Sequence, residues 1–316
     1  YFRCPRFCRE ELTVMQRIEL KTRDQIRWMR EAGLVVADIH ASLRQALRAG
    51  VTTAELDEVS SDAIRRGGAT SNFLNYYGYP ATVCISVNDV VVHGIPGKQK
   101  LKDGDIVSFD CGAWVSHGGK QWHGDAAFSI IVGDEWVDDE SFMAGKRGSG
   151  AHPQGIDEAT MKRRRELDVV TRESLWAALA SLEKGRRISS VGRAVEQVVA
   201  KYDDEFGWEA GIIEEYTGHG IGTAMHQDPE VLNYDARGIF PRVKPGMVLA
   251  VEPMLTAGGI ETFTEADEWT VRTVDGSDAA HWEHTVAILD DGISVLTAPD
   301  YGKAGLAPFG VEPIEL

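Results

Sequence analysis

Four carboxylates and one imidazole stand in distinctive settings along the chain: Asp110 closing DIVSFD, Asp125 in HGD, His219 in TGHGIG, Glu252 in AVEPM and Glu283 in WEHT. Together they are the ligand set of a dinuclear hydrolytic centre. Carboxylates can bridge two divalent cations and offset their charge, and hard-to-borderline metals favour oxygen with some imidazole. Any one of these acids alone reads more readily as a turn or cap residue. The functional reading rests on the set. Asp110 and Glu252 each terminate a strongly apolar run, where an unpaired charge is costly and a metal removes the cost. His219 lies in a Gly-x-Gly-x-Gly frame, which lets backbone come close to a ligand. His226 follows it, and His93 sits in VVHGIP.

The elements that must position these residues are legible in outline. Thr22 with Gln25, and Thr52 with Glu55, have the spacing of capping boxes. After the first, Ile26, Met29, Val36, Ile39, Leu43 and Leu47 recur at helical spacing up to Gly50. After the second, Leu56, Val59 and Ala63 line one face before Gly67-Gly68. Strands are expected at 82–87 and 90–92 around the turn dipeptide Asn88-Asp89, then at 106–110 and 126–132. The stretch 111–125 between the last two reads as a long hairpin connection. Residues 133–158 are acidic, then Gly/Ser-rich, without hydrophobic period; they are expected to be an irregular surface excursion. Helices at about 160–182 and 190–204 and strands at 247–252, 269–274 and 284–289 complete the plan.

An internal echo suggests the architecture. VSFD and LAVE are both apolar strands closing on an acid, and each precedes a strand segment carrying a second acid, Asp125 or Glu283. Two helix–strand halves, each giving two acids, predict a pseudo-symmetric α+β domain with the site between its halves. The domain is expected over 20–300, with an N-terminal extension at 1–19 and a C-terminal tail at 301–316.

Composition limits the alternatives. The chain has 316 residues, 43% hydrophobic and 26% charged, as soluble globular domains do. Its longest apolar runs, such as MVLAV, are too short to span a bilayer. The first residues carry no apolar segment of a secretory signal, and reduced cysteines in a cytoplasm are expected. Cys4 and Cys8 have no second ligand pair nearby and read as incidental rather than as a zinc site. A formal charge of −16 argues against nonspecific nucleic-acid binding. The basic run Lys162–Arg165 reads as a solvated helix face. Neither a membrane nor specific DNA is an expected partner.

CISVNDVVVHGIP, GDIVSFD, HGD, TGHGIG, VEPM and EHT, in that order from about residue 20 to 297, strongly resemble type I methionine aminopeptidase. The resemblance implies the pita-bread fold, a pseudo-two-fold α/β sandwich around two metal ions. It implies Asp110 as the bidentate ligand of one metal, Asp125 and Glu283 as bridging carboxylates, and His219 and Glu252 as ligands of the other. His93 and His226 would contact the scissile amide and its developing charge, and Glu252 would shuttle a proton. Tyr76, Tyr79, Cys84 and Trp269 match the methionine pocket, with Phe73 and Met225 as further wall residues. Co, Mn, Fe(II) and Zn all tolerate this ligand set. The implied substrate is the N-terminal methionine of nascent polypeptides, followed by a small residue. Action as a monomer, with a transient ribosome contact, goes with that reading.

Two departures and two rivals accompany the resemblance. Asp110 and Asp125 stand further apart than is usual in the family, and the excursion at 133–158 is longer. An X-Pro-cleaving relative shares the five ligands, but its larger N-terminal domain and additional histidines are not evident. A non-catalytic binder on the same fold typically loses ligands, and here all five are present.

Overall fold

The computed structural model describes residues 18–316. Cys4, Cys8 and nearly all of the expected extension at 1–19 lie outside the described residues.

Helix α1 (Arg23–Ala46) begins on its capping box. Thr22 Oγ1 accepts from the Gln25 amide at 3.3 Å and Gln25 Oε1 accepts from the Thr22 amide at 2.8 Å. Helix α2 (Thr53–Arg66) repeats the device with Thr52 and Glu55 and ends at Gly67. Short β1 (Thr70–Ser71) precedes β2 (Val83–Val87) and β3 (Val90–Val92), which flank Asn88-Asp89 as expected.

Strands β4 (Ile106–His117) and β5 (Lys120–Ile131) correct the expected long connection at 111–125. The ladder is unbroken from Ile106 opposite Ile131 to His117 opposite Lys120. Gly118 and Gly119 both have positive φ, 59° and 73°, which closes a two-residue turn matched to strand twist. Trp122 near the tip packs on Trp28 of α1, ring centroids 5.3 Å apart. That contact anchors a hairpin that sequence alone left open.

Residues 133–158 are also more ordered than expected. They contain helix α3 (Asp139–Met143), and Val137 and Phe142 are buried. Arg172 of α4 (Glu158–Lys184) clasps the segment, donating to Asp139 Oδ1 and to the Val137 carbonyl. The basic run is solvated only in part. Lys162 is exposed, but Arg163 stacks on Trp208, Arg164 is buried in a two-bond pair with Asp278, and Arg165 pairs with Asp134. The hydrophobic period of α4 cannot reveal partners that arrive from distant segments.

Helix α5 (Ser190–Phe206) ends on Gly207 in the left-handed region. There follow β6 (Gly211–Ile212), β7 (Gly218–Gly220), β8 (Gln227–Val231), β9 (Val248–Val251), β10 (Met254–Thr256), β11 (Thr262–Thr264), β12 (Val271–Thr273), β13 (Ala279–His281), β14 (Glu283–Leu289), β15 (Gly292–Val295) and α6 (Lys303–Leu306). The stretch at 301–316, expected as a tail, packs back on the domain. Leu306 and Val311 are buried, and the Ile314 amide donates to the Ile293 carbonyl.

Registered strand pairs are all antiparallel. A nine-stranded sheet runs β1-β4-β5-β14-β9-β7-β8, with β2 on β4 and β15 on β14. Helix α1 packs on β4 and β5, and α4 packs across β5, β14 and β9. The two acid-bearing strand pairs, β4–β5 and β9–β14, therefore lie side by side and meet at β5–β14. The pseudo-symmetry suggested by VSFD and LAVE is realised as neighbouring halves of one sheet.

Candidate metal centre and active site

Five successive strands of the large sheet each bring one predicted ligand to the same place. Asp110 comes from β4, Asp125 from β5, Glu283 from β14, Glu252 from the residue after β9, and His219 from β7. Ligand atoms of Asp125, His219 and Glu283 lie within 4.8 Å of one another. His219 Nε2 lies 3.4 Å from Glu252 Oε1. All five residues line one cavity of about 420 Å³.

Glycines set this geometry by letting backbones meet. The glycines of HGD and GHG are thus structural as well as chemical. A Cβ on Gly124 would fall 2.8 Å from the Gly33 amide nitrogen, so α1 presses directly on β5 beside Asp125. Cβ atoms on Gly218 and Gly220 would meet the carbonyls of Ala250 and Asp228 at 2.4 and 2.1 Å. The frame around His219 therefore admits neighbouring strands, rather than a ligand, to close approach. Between β5 and β14 the ladder pairs Glu283 with Ala127 and His284 with Ala126. The next rung is made by a side chain: Thr285 Oγ1 accepts from the Asp125 amide at 3.0 Å and donates to the Asp125 carbonyl at 2.8 Å. Asn72 holds the same motif from the other side, donating to the Gly124 carbonyl at 3.1 Å, with its Oδ1 2.8 Å from His123 Nδ1.

Electrostatics call for a cation. Burial pushes Asp110 up to about 7. Burial, then the Asp110 and Glu252 charges, hold Asp125 well above the usual carboxylate range. Burial, then neighbouring acids, does the same to Glu252 and Glu283. Four acids in so small a space cannot all ionise against one another. Asp110 Oδ1 and Asp125 Oδ1 are buried without a hydrogen-bond partner. Burial lowers His219 to about 4, which leaves it a neutral ring. Its Nδ1 lies 2.9 Å from the Gly220 carbonyl; a donor there frees the Nε2 lone pair. Unpaired carboxylate oxygens and a neutral imidazole with a free lone pair fit divalent metal ions.

The same cavity collects most of the remaining predicted residues. Phe73, Tyr76, Tyr79, Cys84, His93, His226 and Trp269 line it together with the five ligands. Met225 is buried behind this wall, packed with Phe73, Tyr79, Ala81 and Cys84. Cys84 lies opposite Asp110 in the β2–β4 register, which ties the apolar wall to the acid cluster. Tyr79 is fixed by bonds to the Val83 and Gly94 carbonyls. Tyr76 Oη lies 2.8 Å from His226 Nδ1. Burial holds His93 at about 4 and His226 well below its ordinary value, so both are neutral near pH 7. His93 has φ of 60°, a left-handed conformation that turns the chain out of β3.

Several site residues were not singled out in the sequence. Asn72 carries no motif of its own, and Thr285 entered only as the last residue of EHT. His281 did have a signal: in HWE it stands two residues before Glu283, the spacing of one strand face. It lines an adjoining cavity of about 380 Å³ with Tyr216, Thr217, Met254 and Glu252.

Residues 27–290 match the model of metallopeptidase family M24. The chain is 44% identical over 270 residues to methionine aminopeptidase 1 of Mycobacterium tuberculosis, covering 85% of this chain and 91% of that protein. It is 38% identical over 277 residues to methionine aminopeptidase 1 of Bacillus subtilis, covering 88% and 98%. The solved methionine aminopeptidase of Thermotoga maritima superposes with a TM-score of 0.75 at 34% identity, covering 89% of this chain and 99% of that one. A prolidase from Pyrococcus furiosus superposes at 0.61 with 18% identity, covering 88% and 65%, and shares the fold alone. Family match, identity and superposition agree over most of the chain, which belongs to metallopeptidase family M24, in its methionine aminopeptidase branch, and has the pita-bread fold.

Proposed function

We propose that this protein hydrolyses the peptide bond after an N-terminal methionine and prefers a small second residue. The observation that carries this reading is one shared cavity. Its acidic floor of Asp110, Asp125, Glu252 and Glu283 adjoins an aromatic and sulfur wall of Tyr76, Tyr79, Cys84 and Trp269. A polarizable, unbranched thioether suits such a wall, and the bond to be cut then lies over the acids.

Asp110, Asp125, His219, Glu252 and Glu283 would hold two divalent ions, with Asp125 and Glu283 shared between them. When bound, such ions supply Lewis acidity that activates water near neutral pH and polarises the scissile carbonyl. Manganese, iron(II), cobalt and zinc all suit four carboxylates with one imidazole. Glu252 takes a proton from the attacking water and returns it to the leaving amine. His93 hydrogen-bonds the scissile amide and helps its nitrogen depart. With Tyr76 donating to Nδ1 of His226, the ring keeps Nε2–H as its donor for the developing oxyanion. Phe73 and Met225 back the methionine pocket.

A peptide series under one metal condition tests the reading. Met-Ala-Ser and norleucine-Ala-Ser should be cut at similar rates, because a hydrophobic pocket distinguishes such groups by only about 1–3 kcal/mol. Leu-Ala-Ser should be slower, since its branch changes the fit. Met-Leu-Ser should be slowest, because His93 and His226 crowd the second residue. Cleavage of Met-Leu-Ser as fast as Met-Ala-Ser removes the small-residue preference. Failure to cut Met-Ala-Ser with any of the four metals removes the activity.

A further inference from the structure

Glu252 has a second neighbour that the proposed mechanism does not use. Its Oε1 faces His219, while Oε2 lies 3.7 Å from His281 Nε2. His281 is 2% exposed, and its Nε2 is buried without a hydrogen-bond partner. The backbone of His281 is held independently of its ring. Its amide donates to Ser108 Oγ at 3.1 Å and Ser129 Oγ at 3.0 Å, and its carbonyl accepts from Ser129 Oγ at 3.0 Å. Register pairs His281 with Met254, and the Trp282 amide donates to the Pro253 carbonyl. Two serines and a strand pairing thus fix the backbone from which the ring reaches towards Glu252.

We propose that His281 is a positioning residue for Glu252: in its Nε2–H tautomer it closes on Oε2 of that carboxylate and keeps Oε1 directed with His219 at a shared cation. This rests on the metal centre proposed above but not on its substrate. At 3.7 Å the pair falls short of a hydrogen bond. Contacts of this kind are often long in an unloaded site and tighten when it is loaded. Outer partners that orient a ligand commonly carry 10–100-fold of metal affinity.

The test compares full-length His281→Gln, which keeps an N–H of similar reach, with His281→Leu, which does not. Each metal-free protein is titrated with Mn(II) by calorimetry, with circular dichroism to establish that it is folded. Leu should weaken the weaker Mn(II) event by about 10–100-fold. Gln should stay within about threefold of the parent and keep kcat on Met-Ala-Ser near the parent's, whereas Leu lowers kcat more than it raises KM. Mn(II) affinity of the Leu variant equal to the parent's overturns the proposal. So does a Gln variant as weak as Leu, because the imidazole would then itself be a ligand. If Leu does not fold, His281→Phe, an aromatic ring without an N–H, takes its place and its Mn(II) affinity is judged in the same way. If the parent cleaves no methionyl peptide, the proposed function fails while the Mn(II) titrations still judge His281.

Discussion

Replacing Thr285 by Val is the sharpest probe of how the fold holds its acids. The side chains are nearly the same size, and Thr285 is fully buried, so no cavity opens. What disappears is the pair of bonds from Oγ1 to the Asp125 amide and carbonyl, at 3.0 and 2.8 Å. The Thr285 amide keeps its own partner, Thr297 Oγ1, at 3.1 Å. Each buried backbone group left unpaired costs about 1–3 kcal/mol. Two such groups, less a gain of about 1 kcal/mol from burying a methyl in place of a hydroxyl, give a loss of about 1–5 kcal/mol. Urea unfolding of the metal-free protein measures it. Thr285→Ser keeps the hydroxyl and loses one methyl, so it should cost only about 1 kcal/mol. Because Asp125 and Glu283 sit on the two strands this rung joins, Val should also weaken metal binding, and Ser should not. A Val variant within about 0.5 kcal/mol of the parent, with unchanged Mn(II) affinity, would refute the argument that this hydroxyl completes the β5–β14 ladder.

Asp125→Asn should leave the fold intact by circular dichroism yet lower metal affinity by at least about a hundredfold in calorimetry, since it removes a direct ligand rather than an outer partner. Full activity with two tightly bound metals would remove Asp125 from the centre. His93→Ala should lower kcat on Met-Ala-Ser by at least about a hundredfold with a smaller change in KM; a change confined to KM would make His93 a uniform binding contact. Asp168, which accepts from Trp282 Nε1 at 2.8 Å, is raised by burial from 3.8 to about 6. Its folded form keeps the proton where the unfolded chain has lost it, so this contribution is full below 3.8 and is lost as pH rises through about 6. Asp168→Asn keeps the acceptor and removes the charge, so unfolding should show a gain of at most about 3 kcal/mol at pH 8 and almost none at pH 4. An equal gain at both pH values would exclude titration of Asp168 as its cause.

The sequence by itself determined the chemistry and the local pieces. Asp110, Asp125, His219, Glu252 and Glu283 carry metal-binding donor atoms wherever the chain puts them. Thr22 with Gln25 and Thr52 with Glu55 announce their helices because a capping box is satisfied within four residues. Apolar, β-branched runs gave most strands. Their ends were less legible: Trp114 to Trp122 became strand because two glycines turn tightly and Trp28 waits on α1. Likewise Phe142 and Val137 order the excursion at 133–158 only because Arg172 reaches them from α4. The order β4-β5-β14-β9-β7 was decided by the tertiary structure alone. Alternation tells which face of a strand is apolar, not which strand lies beside it. That neighbour relation brings the five candidate ligands to one cavity, puts Thr285 beside Asp125, and leaves His281 facing the second oxygen of Glu252.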